Sequence, residues 1–114
     1  ILIEVIQGGL GIDPHPMELL PIEHETTKNT GIKHEDGTIS MARLEPGTAS
    51  SEFFICINDQ PQLDFGGMRN LDGQGFAAFG KVTSGMNIVK KIQMKPENEQ
   101  LLHKIVKIMS IKRN

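Results

Sequence analysis

The 114-residue sequence holds one cysteine, Cys56, so no disulfide can form within the chain. No stretch approaches the ~20 consecutive apolar residues that a membrane-spanning helix needs. Neither sign of charge dominates: 12 Lys and Arg stand against 14 Asp and Glu, for a formal net charge of -2. That balance gives no electrostatic reason to expect nucleic acid or an anionic membrane as a partner. None of the four histidines, His15, His24, His34 and His103, pairs with another or with Cys56 at metal-ligand spacing. Each is expected in a loop or at the surface. The Gly-rich stretches Gly8-Gly9-Leu10-Gly11 and Gly73-Gln74-Gly75 do not run from strand into helix with phosphate-loop spacing. Ser50-Ser51 has no nucleophile-elbow context. The carboxylates Glu23, Glu25, Glu35, Asp36 and Glu45 read as solvated loop residues. Internal repeats and low-complexity tracts are absent, and the length suits one compact domain.

What the chain does contain is β-prone. Residues 1–7 are rich in β-branched side chains and end at Gly8-Gly9, which predicts a strand. Residues 37–43 alternate polar and apolar, the pattern of a short strand. Residues 52–57 form the strongest strand, apolar on both faces and so expected to be covered on both sides. Cys56 lies within it and reads as a small core residue rather than a reactive thiol. Residues 58–75 are a long loop, and residues 76–82 another strand. Met86, Val89 and Ile92 recur on one face of a helix over 86–93, with Ser84 as its expected cap and Pro96 beyond its end. Residues 26–33 carry weak helical character. Residues 101–113 fit either a strand or a buried helix, and their isoleucines and valine favour a strand. On the residues alone this is a β-rich domain, with Phe54 and Leu63 as core and Gln7 at a strand end.

Five segments in order carry a likeness to a known family. Val5-Ile6-Gln7-Gly8-Gly9 resembles the Gln-Gly-Gly strand of the cyclophilins. Gly37-Thr38-Ile39-Ser40-Met41-Ala42 is similar to their Gly-x-Leu-Ser-Met-Ala segment. Ser50-Ser51-Glu52-Phe53-Phe54-Ile55 is similar to their Ser-Gln-Phe-Phe-Ile strand. Leu63-Asp64 and Phe79-Gly80-Lys81-Val82-x-x-Gly85-Met86 complete the set, and the long loop resembles that of bacterial members. The likeness implies a mainly β fold, a closed eight-stranded antiparallel barrel with capping helices. This chain would supply about five strands and one clear helix. Residues 1–114 would be the C-terminal two-thirds of the domain. The family's N-terminal strands, first helix and arginine-bearing strand would precede Ile1. An upstream segment, a second cleaved chain or a swapped copy is expected to complete the barrel.

The resemblance also implies a function: peptidyl-prolyl cis/trans isomerisation of X–Pro bonds in peptides and unfolded proteins, without metal or cofactor. The alternative is a non-catalytic module that binds proline peptides. The cytoplasm is the expected location, with the periplasm or secretion as alternatives. By position, Phe54 and Leu63 would form the proline pocket, with Val5 beside them. Gln7 would hydrogen-bond the substrate backbone, and Ala42, Arg43 and Leu44 would form the edge along which the peptide lies. Glu52 stands where the family usually has Gln, and Phe76 where some members have His. Glu4 stands where a pocket Phe is common. Arg43 and Arg69 are the arginines late enough in the fold to lie near the groove, and the Arg43 side chain is expected to face solvent.

Overall fold

The computed structural model describes residues 3–10, 18–98, 101–102 and 104–113. Its principal element is a four-stranded antiparallel sheet of β1 (Val5–Gly8), β2 (Thr38–Met41), β3 (Phe53–Cys56) and β4 (Ala77–Lys81), in the spatial order β1-β3-β2-β4. The β-branched and aromatic residues of these segments suit a pleated, half-buried surface. Each strand falls inside or overlaps a stretch predicted from its pattern; Ile1 and Leu2 lie outside the described residues. The central strand β3 has Phe54 and Cys56 buried on one face, while Phe53 and Ile55 on the other remain half-buried. It is therefore covered less completely than an apolar run on both faces predicts.

In β2 the alternation runs opposite to the common arrangement. Its polar residues Thr38 and Ser40 are buried, and Ile39 and Met41 are half-buried. Inward polar groups need partners. Thr38 Oγ1 donates to the Lys33 carbonyl and accepts from the Glu35 N–H, while Ser40 Oγ lies 2.8 Å from His34 Nε2. The β2–β4 register slips between Ile39 and Ser40, so Phe79 has no opposite residue and turns outward.

A single helical turn, α1 (Thr27–Thr30), is capped by the Thr26 hydroxyl and closed by left-handed Gly31. Helix α2 (Met86–Gln93) spans the predicted residues and packs against β1, with Val89 buried and Met86 and Ile92 half-buried. Its N-cap is Gly85, at φ 98°, and not Ser84, which lies one residue too early. The expected strand over 101–113 does not form as such. Only β6 (Leu101–Leu102) pairs, with β5 (Glu97–Asn98), and residues 104–113 run without regular structure. β-prone composition needs a partner strand to take effect, and the described residues offer these positions none.

The described residues form an open sheet and not a closed eight-stranded barrel, with β1 and β4 as its edges. Among them, no helix is long and apolar enough to cross a membrane.

Candidate functional site

The sheet register sets a row of side chains across one face. Gln7 on β1 and Ser40 on β2 both pair with Phe54 on β3, and Ser40 pairs in turn with Ala78 on β4. Directly opposed residues of antiparallel strands share a face. Phe54 therefore sits between Gln7, which is exposed, and Ser40, which is fully buried. Around it, Phe54, Cys56 and Leu63 form a buried cluster against which Val5, Ala42 and Phe76 pack. Five of the residues singled out from sequence, Val5, Ala42, Phe54, Leu63 and Phe76, are thus brought together, with Gln7 beside them. The Phe76 ring meets Phe54 edge-on at 5.2 Å between centroids.

Leu63 enters the cluster from a 3₁₀ turn, Pro61–Leu63, whose first residue is the proline that this position favours. Its carbonyl accepts the Phe76 N–H at 2.9 Å. Gly75, at φ 66°, lies so close that a Cβ there would collide with that same carbonyl. Glycine is what lets the loop pass beneath Phe76.

Beneath Phe54 runs a buried polar chain that the sequence does not announce. His34 is expected in a loop or at the surface; it does lie in a loop, but its side chain is almost completely buried, stacked on Phe54 at 5.9 Å. Asp64 Oδ1 accepts both the His34 backbone N–H (2.8 Å) and the ring Nδ1 (2.7 Å). A carboxylate can only accept, so Nδ1 carries the proton and Nε2 is left to accept the Ser40 hydroxyl. Burial holds the His34 pKa below its ordinary value, outweighing the attraction of Asp64, which keeps the ring neutral. The order Asp–His–Ser matches that of hydrolytic triads. Here Ser40 is 0% exposed, so it serves as a strut under Phe54 and not as a nucleophile. Leu63-Asp64 and Ser40 fall within the recognised motifs; their meeting at His34 depends on long-range folding. Cys56 is buried in the same core, where burial, reinforced by Asp64 and Asp36, pushes its thiol up to about 12. It is inert, as its apolar run predicted.

Arg43 departs from expectation. Its side chain is 1% exposed and does not face solvent. Nε donates to the Gly75 carbonyl at 3.0 Å, and Nη2 donates to that carbonyl at 2.6 Å and to Asp72 Oδ1 at 3.0 Å. Nη1 donates to Asp72 Oδ2 at 3.0 Å and to the Leu44 carbonyl at 2.9 Å. All five N–H donors of the guanidinium are used. The group lies over the Phe76 ring, 5.4 Å from its centroid. These bonds, with the Gln74 N–H, hold the Asp72 carboxyl below the usual range.

Along the expected peptide edge, the Ala42 N–H donates to the Glu52 carbonyl, and the Leu44 N–H to Thr48 Oγ1. The Leu44 side chain is exposed. Glu52 lies away from the cluster's centre: its carboxylate accepts the Leu10 N–H at 3.0 Å and fills the space a side chain at Gly9 would need. A separate open groove of about 430 Å³ lies beside Gln62, lined by Lys28, Lys33 and Phe65 among others. Among the described residues no cluster of His, Cys, Asp and Glu could hold a metal.

A mainly antiparallel β sheet with one well-formed helix and a phenylalanine-centred buried cluster defines a β-rich domain. Residues 4–113 match the family described as cyclophilin type peptidyl-prolyl cis-trans isomerase/CLD, and the chain belongs to that family. It is 39% identical over 93 residues to peptidyl-prolyl cis-trans isomerase B of Escherichia coli, covering 78% of this chain and 54% of that protein. It is 35% identical over 112 residues to a peptidyl-prolyl cis-trans isomerase of Acinetobacter baylyi, covering 95% of this chain and 56% of that one. The likeness to peptidyl-prolyl cis-trans isomerase A of Dickeya dadantii is 42% over 80 residues, 68% of this chain and 39% of the relative. The chain spans about half the length of the curated relatives it matches.

Proposed function

We propose that this chain is the C-terminal two-thirds of a cyclophilin domain that isomerises X–Pro bonds in peptides and unfolded proteins. The observation that carries the reading is the convergence of Val5, Phe54, Leu63 and Phe76 on one apolar cluster, with the exposed Gln7 amide beside Phe54. An X–Pro bond resists rotation because resonance gives its C–N bond partial double-bond character, with a barrier of ~18–20 kcal/mol. No nucleophile or cofactor is needed to lower it. The protein must bind the twisted amide more tightly than either planar form. The aromatic cluster grips the proline ring, Gln7 bonds the chain on one side, and the other side rotates. Twisting restores a lone pair on the prolyl nitrogen, and a donor aimed there stabilises only the twisted state. Arg43, with all five donors engaged, does not supply it. The donor comes from an arginine on a segment outside these residues. The same segment pairs with the sheet edges and closes the barrel to eight strands.

A second reading, a binding module without catalysis, draws support from that saturation of Arg43. The two readings part on one experiment with the full-length protein and a short Ala-Pro peptide. The enzyme accelerates an exchange that otherwise takes tens to hundreds of seconds, whereas the module binds and leaves the rate unchanged. In the enzyme, Phe54→Ala weakens peptide binding by NMR titration. A folded variant with unchanged affinity removes the pocket assignment.

A further inference from the structure

We propose that Asp72 is a positioning residue for the proline pocket, acting through Arg43 on Phe76. The inference rests on the pocket reading above and adds to it a residue that touches no substrate. Asp72 sits in a turn of the long loop, 29 positions along the chain from Arg43, and its side chain is 33% exposed. Arg43 follows the end of β2 and is otherwise enclosed. The bidentate pair uses one N–H of each terminal nitrogen, at 3.0 Å in both cases. Two parallel bonds fix the plane of a guanidinium as well as its position. That plane lies over the Phe76 ring on one side of the pocket, and the Phe76 edge meets Phe54. The Gly75 carbonyl is held by the same guanidinium, so the residue before Phe76 is fixed too. Rotation of Phe76 is thus limited from both sides, by Arg43 and by Phe54.

Without Asp72, one N–H of each terminal nitrogen loses its partner. The guanidinium keeps its carbonyl bonds but loses the fork that sets its tilt. Phe76 then has a mobile neighbour, and the wall it gives to the pocket softens. The twisted and planar amides both lose grip equally, because the wall holds the proline ring and not the rotating bond. The effect falls on substrate capture and spares the chemical step.

The test is steady-state isomerisation of an Ala-Pro peptide by the full-length protein. Asp72→Ala raises KM about five- to tenfold and leaves kcat within about twofold. Asp72→Glu, which keeps both acceptor oxygens on a longer arm, recovers most of the loss. Arg43→Lys, which cannot make the fork or lie flat on a ring, matches Asp72→Ala, and the double variant is no worse than either single one. The proposal is overturned if a folded Asp72→Ala keeps the parent KM. It is equally overturned if kcat and KM change together with no recovery in Asp72→Glu, since a merely structural role predicts that. If the parent protein proves unable to isomerise the peptide, the proposed activity falls. Kd for the same peptide, by NMR titration, then replaces KM, and equal Kd values for parent and Asp72→Ala overturn the positioning role.

Discussion

His34 gives the buried cluster a pH dependence on the acid side. Burial lowers its pKa in the folded protein, whereas in the unfolded chain it titrates near the ordinary value of about 6.5. Below that value the unfolded chain binds a proton that the folded one refuses. The stability that neutral His34 contributes is therefore complete above about pH 6.5. It is lost as pH falls from there toward the lowered folded pKa. Unfolding of the full-length protein by urea across that range should show the decline, and imidazole NMR signals should show His34 still neutral at a pH where a free imidazole is charged. A ring that titrates like a free imidazole would contradict the burial argument. The sequence could not supply this prediction. His34 lies in a polar, loop-like stretch, and what buries it is a carboxylate 30 positions away and a serine on the inward face of β2.

At the scale of elements, pattern told where strands lie and not which way they face. Thr38-Ile39-Ser40-Met41 reads as a strand from its alternation alone. The choice of the polar face as the inner one depends on His34, Lys33 and Glu35 waiting there with partners. Helix α2 was legible to the residue because its apolar spacing and its packing on β1 agree. Residues 101–113 read as a strand on β propensity alone, which does not tell whether a neighbour is there to pair with. Arg43 was misread for a related cause: next to an edge, an arginine defaults to solvent, and only the arrival of Asp72 and Gly75 turns it inward. Gly75 is the pivot of that arrival. Gly75→Ala places a Cβ against the Leu63 carbonyl at a left-handed φ, and is expected to cost about 1–3 kcal/mol or more. For a domain of this size that is a drop of about 4–8 °C in Tm per kcal/mol, readable by calorimetry. An unchanged Tm would mean that the loop has room to move away from Leu63.

For the whole molecule, the family and the mainly β class were visible in five short motifs, and the cluster of Val5, Phe54, Leu63 and Phe76 followed from them. The closed eight-stranded barrel that the resemblance implied is not formed by the described residues, because closure is a relation between strands and these residues supply an open sheet of four. Both edges of the observed sheet lack partners among the described residues. Ile105, Met109 and Ile111 are 76–88% exposed along one segment. Unpaired edges and contiguous apolar surface favour association. Residues 1–114 expressed alone are therefore expected to dimerise or aggregate, as measured by light scattering after size exclusion. A monomer that unfolds cooperatively would show that the edges are protected in some other way.

The strand order has a further consequence, in the time the molecule takes to assemble. Within the four-stranded sheet, the neighbours β2 and β3 are also the pair closest in sequence, joined by residues 42–52, whereas β1 reaches β3 across residues 9–52 and β4 reaches β2 across residues 42–76. Shorter loops close at lower entropic cost. The β2–β3 hairpin can therefore form first, with Phe54 in place and bare on both flanks. Gln7 arrives only when the longest connection closes, and Phe76 only when the second longest does. On the proposed reading, a nascent copy thus passes through a stage at which it presents an aromatic ring before the Gln7 amide and the Phe76 ring have come to stand beside it.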